Sequence, residues 1–296
     1  MGKGFKYVFI INPIAGPRDN LKFWEKLEKY LAEKDIKLKV KFTKRSGHAT
    51  RLAEKRLAKK KEAIIVSLGG DGTFNEVASA LVNQNTRLAH IPRGSGNGLA
   101  RMLKIPYSAK KVADYLVCGK AYKIDAGKID DRYFFCTAGF GFDALIAHHF
   151  STSSSRGLKS YIFYTLKSFF RYKGVEADFE LNGEKYSGRF FTVTIANANQ
   201  FGNNAFIAPK AEVNDGWLDV TMIRPFPKIL TPFVALALFG KWLHKFSFVE
   251  TRRVKNININ SVSSPYFHRD GDAEECTFPA EISVISGALN LIVPEE

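Results

Sequence analysis

The sequence predicts an α/β N-terminal domain with a doubly wound parallel sheet, followed by a largely antiparallel β-sandwich C-terminal domain. Three observations predict it. Over roughly the first 120 residues, apolar strand signals alternate with helical periods, the pattern of a parallel sheet. Each of the first four strands runs into a loop rich in Gly, Asn, Ser or Thr. From about Tyr122 the signals are mostly strands, punctuated by turns such as Asn182–Gly183 and Asn214–Asp215–Gly216. The expected domains are residues 1–122 and 123–286, with a last strand within 287–296 returning to the first domain.

Taken in order, Tyr7–Ile11 is a continuous apolar strand that stops at Asn12–Pro13. Leu21, Trp24, Leu27, Glu28 and Leu31 set a helical period from about Arg18 to Glu33. Ile36, Leu38, Val40 and Phe42 alternate with lysines, a strand that ends at Thr43, and a further helix runs to about Lys60. Ala63–Leu68 reads as a buried strand that enters Gly69–Gly70–Asp71–Gly72–Thr73. Phe74, Val77, Ala78 and Leu81 then recur at helical spacing, so a helix opens at about Thr73. Arg87–Ile91 is a short strand before Arg93–Asn97, followed by helices from Leu99 and over Ser108–Val117.

In the second half, strands are expected at 122–129, 133–137, 175–181, 190–196, 217–223, 255–259 and 282–285, with a last one at Ala288–Val293. Helices are expected at Phe142–Phe150, Lys159–Arg171 and Ile229–Lys245. Ser151–Ser155 is the one low-complexity patch.

Composition narrows the classes. The 296 residues are 45% hydrophobic and 25% charged, as in a soluble globular protein. A formal net charge of +15 points to an anionic partner: a nucleotide, a nucleic acid or an anionic membrane surface. Cys118, Cys136 and Cys276 are far apart and form no CxxC, which suits free thiols and argues against zinc. The first apolar run is a strand rather than a signal peptide, and Ile229–Gly240 is too short to span a bilayer.

The chemistry concentrates at Gly69–Thr73. A strand, a glycine loop and a helix present backbone N–H groups at a helix N-terminus, where phosphate binds. Asp71 places a carboxylate inside that turn, and a cation such as Mg²⁺ reconciles it with a phosphate. In a doubly wound sheet ligands bind beyond the carboxyl ends of the strands. Four polar loops fall there: Asn12–Gly16, Thr43–Gly47, Gly69–Thr73 and Arg93–Asn97. The plainer readings are a tight turn at Gly69–Thr73, an Asn cap at Asn97 and strand-end capping at Thr43.

Three stretches, GGDGTFNEV at Gly69–Val77, GSGNGLAR at Gly94–Arg101 and NPIAG at Asn12–Gly16, resemble the diacylglycerol kinase catalytic superfamily. That group includes bacterial diacylglycerol-kinase-like lipid kinases, sphingosine kinases and ceramide kinases. Thr43 with Gly47–Ala49 is similar to the family's second-strand nucleotide motif, while NDGWLDV at Asn214–Val220 and DGD at Asp270–Asp272 resemble two later motifs. The resemblance implies an ATP-binding α/β domain, a β-rich lipid-binding domain and a cleft between them. It implies nucleotide contact by Asn12, Pro13, Gly16, Thr43, Gly69, Gly70, Asp71, Gly72, Thr73, Asn75, Glu76, Gly94, Ser95 and Asn97. It places the catalytic carboxylate on Asp272, where the family has Glu, with Asp71 beside the Mg²⁺ of the nucleotide. A structural Mg²⁺ is implied near Asp215 and Asp219, whose plainer reading is a hairpin turn.

The implied activity is an ATP- and Mg²⁺-dependent phosphorylation of a lipid hydroxyl, in which alignment and charge neutralisation dominate. The implied setting is cytoplasmic, with peripheral contact to an anionic membrane and no nucleic-acid partner; a homodimer is compatible with it. Aromatic and lysine mixing in Leu158–Lys173 and in Phe226–Phe248 fits either core packing or an interfacial face. The alternatives are an NAD-kinase-like enzyme with a soluble substrate, a non-catalytic nucleotide or lipid sensor, and a nucleic-acid binder. Asn75–Glu76 inside the loop–helix junction speaks against the first, and no nucleic-acid motif supports the last.

Overall fold

The computed structural model describes residues 7–16, 19–59, 62–152 and 168–295. The chain divides into two compact units, Met1–Ile124 with Gly287–Glu296, and Asp125–Ser286.

The first unit is a parallel sheet covered by helices. Its strands are β1 (Tyr7–Ile11), β2 (Leu38–Phe42), β3 (Ile64–Gly69) and β4 (Arg87–Pro92), completed by the end of β16 (Ala280–Val293). Their order is β2-β1-β3-β4-β16, every pair parallel, with Phe9 opposite both Val40 and Val66, and Leu291 opposite Leu88. β1 and β3 are buried at every position, which is why they read as apolar runs, apart from the buried Ser67 of β3. β2 is the edge strand, and its exposed Lys39 and Lys41 keep other strands from pairing there.

The helices of this unit are α1 (Asn20–Ala32), α2 (His48–Leu57), α3 (Asp71–Ser79), α4 (Gly98–Met102) and α5 (Ala109–Cys118). Leu27 and Leu31 of α1 and Val112 and Leu116 of α5 join Phe9, Val66 and Ile91 in one core. α1 starts at Asn20 rather than Arg18 because Asp19 caps it, its carboxylate accepting from the N–H groups of Leu21 and Lys22. α3 opens at Asp71, two residues before the expected Thr73. The Tyr115 hydroxyl donates to the Ile292 carbonyl at 2.7 Å and accepts from the N–H of His90, tying the returning strand to α5 and β4.

The second unit is a sandwich. It begins within β5 (Lys120–Ile129), which forms a hairpin with β6 (Arg132–Phe134). One antiparallel sheet runs β12-β11-β10-β7-β14-β15, comprising Val249–Val254, Leu218–Ile223, Thr192–Ala196, Thr137–Gly141, Tyr266–Arg269 and Asp272–Glu275. The other runs from the start of β16 through β13 (Asn256–Val262) and β8 (Val175–Leu181) to β9 (Glu184–Phe190). Val193, Val220, Phe140 and Phe267 of the first sheet share a core with Phe179, Ile257, Ile259 and Ile282 of the second.

Several elements differ from the sequence reading. The expected strand 190–196 is two strands, because Phe191 breaks the ladder between β9 and β10. The expected strands 282–285 and Ala288–Val293 are one 14-residue strand, which passes Gly287 at φ +61. The helix expected over Ile229–Lys245 is α7 (Thr231–Gly240) between two 3-10 turns, since Lys241 takes a left-handed conformation that ends it. α6 (Phe142–Thr152) covers its expected range. The helix expected at Lys159–Arg171 falls mostly outside the described residues, although 168–171 are helical. Lys60, Lys61 and Ser153–Ser155 also lie outside them.

Candidate active site

In the first unit four loops leave the carboxyl edge of the parallel sheet at one level. The ladder runs one step past the strands: Asn12 N–H donates to Leu68 O at 2.9 Å, Thr43 to Ile11 O at 2.8 Å, and Arg93 to Gly69 O at 2.7 Å. Two glycine loops then meet backbone to backbone. A Cβ placed on Gly94 would lie 2.7 Å from the Gly70 Cα and 2.9 Å from Asn97 Oδ1, so only glycine permits this approach. Gly16, at φ +67, packs against the Arg93 carbonyl in the same way.

The loop after β4 is held by Asn97, which is buried in a left-handed conformation. Its side chain closes the loop on itself, accepting from Gly94 N–H at 3.0 Å and donating to Gly94 O at 2.7 Å. Its own N–H donates to Asp71 Oδ2 at 2.8 Å. Asp71, first residue of α3, thus links both glycine loops through a charge-assisted bond and favours the positive end of the helix.

Most other expected nucleotide contacts brace the loops with their side chains. Asn12 Nδ2 donates to the buried Thr73 hydroxyl at 3.1 Å, and Asn12 Oδ1 accepts from Ile14 N–H. Asn75 Oδ1 accepts from Ser79 one turn along α3. Glu76 accepts from Gly47 N–H with one oxygen and from Ala49 N–H with the other, both at 2.9 Å. It therefore caps α2 and joins the loop after β2 to α3. What remains toward a ligand is chiefly backbone at Gly69, Gly70, Asp71, Gly72 and Gly94, with the exposed Ser95 and the half-buried Pro13 and Thr43.

Arg93 and Asn20 are braces that the sequence did not reveal. Arg93 is buried, stacks 4.2 Å over the Phe23 ring and donates to Asn20 Oδ1 at 2.9 Å. Asn20 in turn donates to Asn12 O and Ala15 O. A polar residue in the first turn of an amphipathic helix reads as solvent-facing, so no sequence signal marked Asn20.

In the second unit the acidic hairpin Asp270–Asp272 divides its labour. Asp270 and Gly271 both take positive φ, as a tight β14–β15 turn requires. The Asp270 carboxylate accepts from the N–H groups of Phe135, Cys136 and Thr137 at 3.0, 2.7 and 3.2 Å. Asp272, two residues on, is exposed at the start of β15. The Asp270 carboxylate anchors the hairpin, and Asp272 stands exposed beside it.

The turn Asn214–Trp217 is held by Asp125, a buried acid that accepts from Gly216 N–H at 2.7 Å. Asp215 accepts from Trp217 N–H and pairs with Arg253. Asp219 is buried, and burial pushes its carboxyl up to about 6; Arg253 opposes this, and the charges of Asp215 and Glu212 add to it. Among the described residues no group of three or more His, Cys, Asp or Glu side chains could hold a metal. Asp215 and Asp219 are thus a partial donor set, with one acid already matched by a guanidinium, and carbonyl oxygens would have to supply most of a Mg²⁺ shell.

A further polar group escaped the sequence reading. Asp143, at the start of α6, accepts from the Thr194 hydroxyl at 2.7 Å and lies 3.1 Å from His268 Nε2. These residues are 51 and 125 positions apart in the chain, so no local spacing marks them.

Residues 6–129 match the diacylglycerol kinase catalytic domain, and residues 136–293 match the YegS C-terminal NAD kinase beta sandwich-like domain. The chain is 26% identical over 303 residues to a diacylglycerol kinase of Bacillus subtilis (strain 168), covering 97% of this chain and 96% of that one. It is 30% identical over 261 residues to a Pseudomonas aeruginosa protein named "Probable lipid kinase YegS-like", covering 87% and 85%. A crystal structure of a diacylglycerol kinase from Bacillus anthracis str. Sterne superposes with a TM-score of 0.75 at 21% identity, over 99% of this chain and 98% of that one. At that identity the likeness speaks for the fold, whereas the matched domains and the relatives speak for descent. The chain belongs to the diacylglycerol kinase and YegS-like lipid kinase family.

Proposed function

We propose that this protein transfers the γ-phosphoryl group of ATP to the hydroxyl of a membrane lipid. The observation that carries the reading is the paired glycine loops: Gly70 and Gly94 in backbone contact, with Asp71 joined to Asn97 at the N-terminus of α3. Bare backbone at a helix N-terminus suits phosphate oxygens. A carboxylate in that turn suits the Mg²⁺ that accompanies ATP, and the ion would neutralise charge on the phosphates. Asp71 would orient the metal–nucleotide complex, and the braced loops would keep its phosphates in line for transfer.

Asp272 is the general base assigned to the acceptor hydroxyl. Its exposure at a hairpin that Asp270 holds rigid supports that role. Phosphoryl transfer asks little covalent help of the protein, so a shorter acid in place of Glu is tolerable if the acceptor is well positioned. Diacylglycerol, a sphingoid base and ceramide are the acceptor chemistries to test.

The test is incubation with labelled ATP and Mg²⁺ against a panel of lipids in mixed micelles. The expected result is label in one lipid class, with Asp71→Asn and Asp272→Asn each lowering the rate at least about a hundredfold; the melting temperature should hold in Asp272→Asn and drop only slightly in Asp71→Asn, which weakens the bond to Asn97. No labelled lipid, or full rate in either variant, would overturn the reading or the role concerned. ADP release with NAD and no lipid labelled would favour the NAD-kinase-like alternative.

A further inference from the structure

Helix α7 of the second unit is apolar on every face, yet much of it meets solvent. Its sequence, TPFVALALFG, carries no charge. One side is accounted for: Ala237 is buried, and Val234 and Leu238 pack with it against Ile207, Ile223 and Leu243. The opposite ridge is Phe233, Leu236 and Phe239, exposed at 55%, 62% and 57%. Ile229, at 82%, extends it past the helix start, and Phe170, at 64%, adjoins through a bond from Lys228 Nζ to the Phe170 carbonyl. These five are all of the large exposed hydrophobic side chains among the described residues of this unit. A surface helix of a soluble domain ordinarily turns a polar stripe outward; this one turns phenylalanine and leucine.

The ridge is framed by one sign of charge. Lys228 precedes the helix, and Lys241 and Lys245 follow it, all exposed. No Asp or Glu occurs in the thirty residues from Val220 to Val249, nor in the thirty-two from Ala144 to Val175. A row of aromatic contacts underlies the patch, with Phe226 and Phe248 stacked at 4.9 Å, Phe246 on Phe248 at 4.9 Å and Trp242 on Phe246 at 5.6 Å. The ridge is therefore carried on a packed base.

From this geometry we infer that the α7 ridge is a docking face for an anionic lipid bilayer. Phe233, Leu236 and Phe239 enter the boundary between headgroups and acyl chains, and Lys228, Lys241 and Lys245 sit at the level of the anionic headgroups. A ten-residue helix is too short to cross, so the contact is parallel to the surface. A second copy of the chain is disfavoured as occupant, because a two-fold contact sets each copy's lysines against the other's with no acid to match them. The inference deepens the lipid-kinase reading but does not depend on it, since docking needs neither ATP nor an acceptor alcohol.

The test uses the full chain with vesicles of phosphatidylcholine alone or mixed with phosphatidylglycerol, without ATP or diacylglycerol, read by co-sedimentation. The wild type is expected on the anionic vesicles and in solution with the neutral ones, and to be released by salt. Phe233→Ser with Leu236→Ser should weaken binding at least about tenfold. Lys241→Gln with Lys245→Gln, both exposed, should weaken it about tenfold or more, and Lys245→Gln alone, which keeps the Lys241 contact over the Phe206 ring, should weaken it in the same direction. Melting temperatures and kinase rates on a lipid in detergent micelles should stay at wild-type values. Wild-type protein that ignores anionic vesicles, or wild-type binding in both variants, would overturn the inference. So would a dimer that Phe233→Ser with Leu236→Ser dissolves while vesicle binding persists. Vesicle binding without phosphorylation of any lipid would sink the kinase reading and leave the docking face standing.

Discussion

The hairpin acid Asp270 carries a prediction that separates structure from chemistry within one three-residue motif. Its carboxylate accepts from three consecutive backbone N–H groups, those of Phe135, Cys136 and Thr137. Hydrogen bonds to a charged acceptor contribute about 1.5–3 kcal/mol each, and a partly solvated site recovers some of that on loss. Asp270→Ala should therefore cost about 3–5 kcal/mol, including the strain of Ala at φ +50. For a unit of this size that lowers the melting temperature on the order of 10 °C. Asp270→Asn keeps one acceptor oxygen and tolerates the turn, so about 1–2 kcal/mol is expected. Asp272→Asn, altering an exposed side chain with no burial to lose, should leave melting unchanged while removing activity. The assay is thermal unfolding followed by circular dichroism, paired with the lipid phosphorylation rate. The reasoning is refuted if Asp270→Ala melts within about 2 °C of wild type, or if Asp272→Asn is the less stable of the two.

Gly94→Ala should disrupt the loop pair, since its Cβ meets the Gly70 backbone, and weaken ATP binding measured by calorimetry about tenfold or more; Gly47→Ala, whose Cβ meets no atom within 4 Å, should show only the strain of a left-handed backbone at φ +73, a stability loss of about 1–2 kcal/mol. Glu76→Ala removes the two charge-assisted caps on α2 and should lower stability by about 1–3 kcal/mol, read as a drop in melting temperature. Two buried groups give opposite pH slopes. Burial holds His90 neutral down to about pH 3 against an ordinary 6.5, so the unfolded chain takes up the proton first and stability falls as pH drops below 6.5. Asp219 is raised from 3.8 to about 6, so the unfolded chain releases its proton first and stability falls as pH rises from about 4 to 6. His90→Asn should flatten the acid limb and Asp219→Asn should flatten the other, each measured by melting across pH 4–8; an unchanged profile in either variant refutes its assignment.

The parallel sheet was legible because a strand covered on both faces is apolar almost throughout, as Tyr7–Ile11 and Ala63–Leu68 are apart from Ser67, whose hydroxyl is bonded to His90. Strands such as Tyr266–Arg269 and Asp272–Glu275 were not read: in the first, buried Phe267 is followed by the buried but polar His268, and the second is a polar edge strand, so neither leaves an apolar period. The glycine loops were legible because close backbone approach excludes every side chain, a demand that one sequence displays openly. The assignment of tasks inside them was not. Asn12, Glu76 and Asn97 have the residue types of ligand contacts, and only their partners show that they hold loops together.

By itself, then, the sequence determined the class of fold, the edge of the sheet from which the glycine loops emerge, and the pair of acids at Asp270 and Asp272. Those are local properties of spacing, turn chemistry and burial. The tertiary structure alone decided which acid is anchored and which is exposed. It also brought Arg93 to Asn20, His268 to Asp143 and Asp125 to Gly216, and it left one ridge of α7 uncovered. A hydrogen bond between residues 51 to 125 apart, or a helix face that no other element covers, follows from how strands pair and layers pack, and short-range pattern holds no record of it.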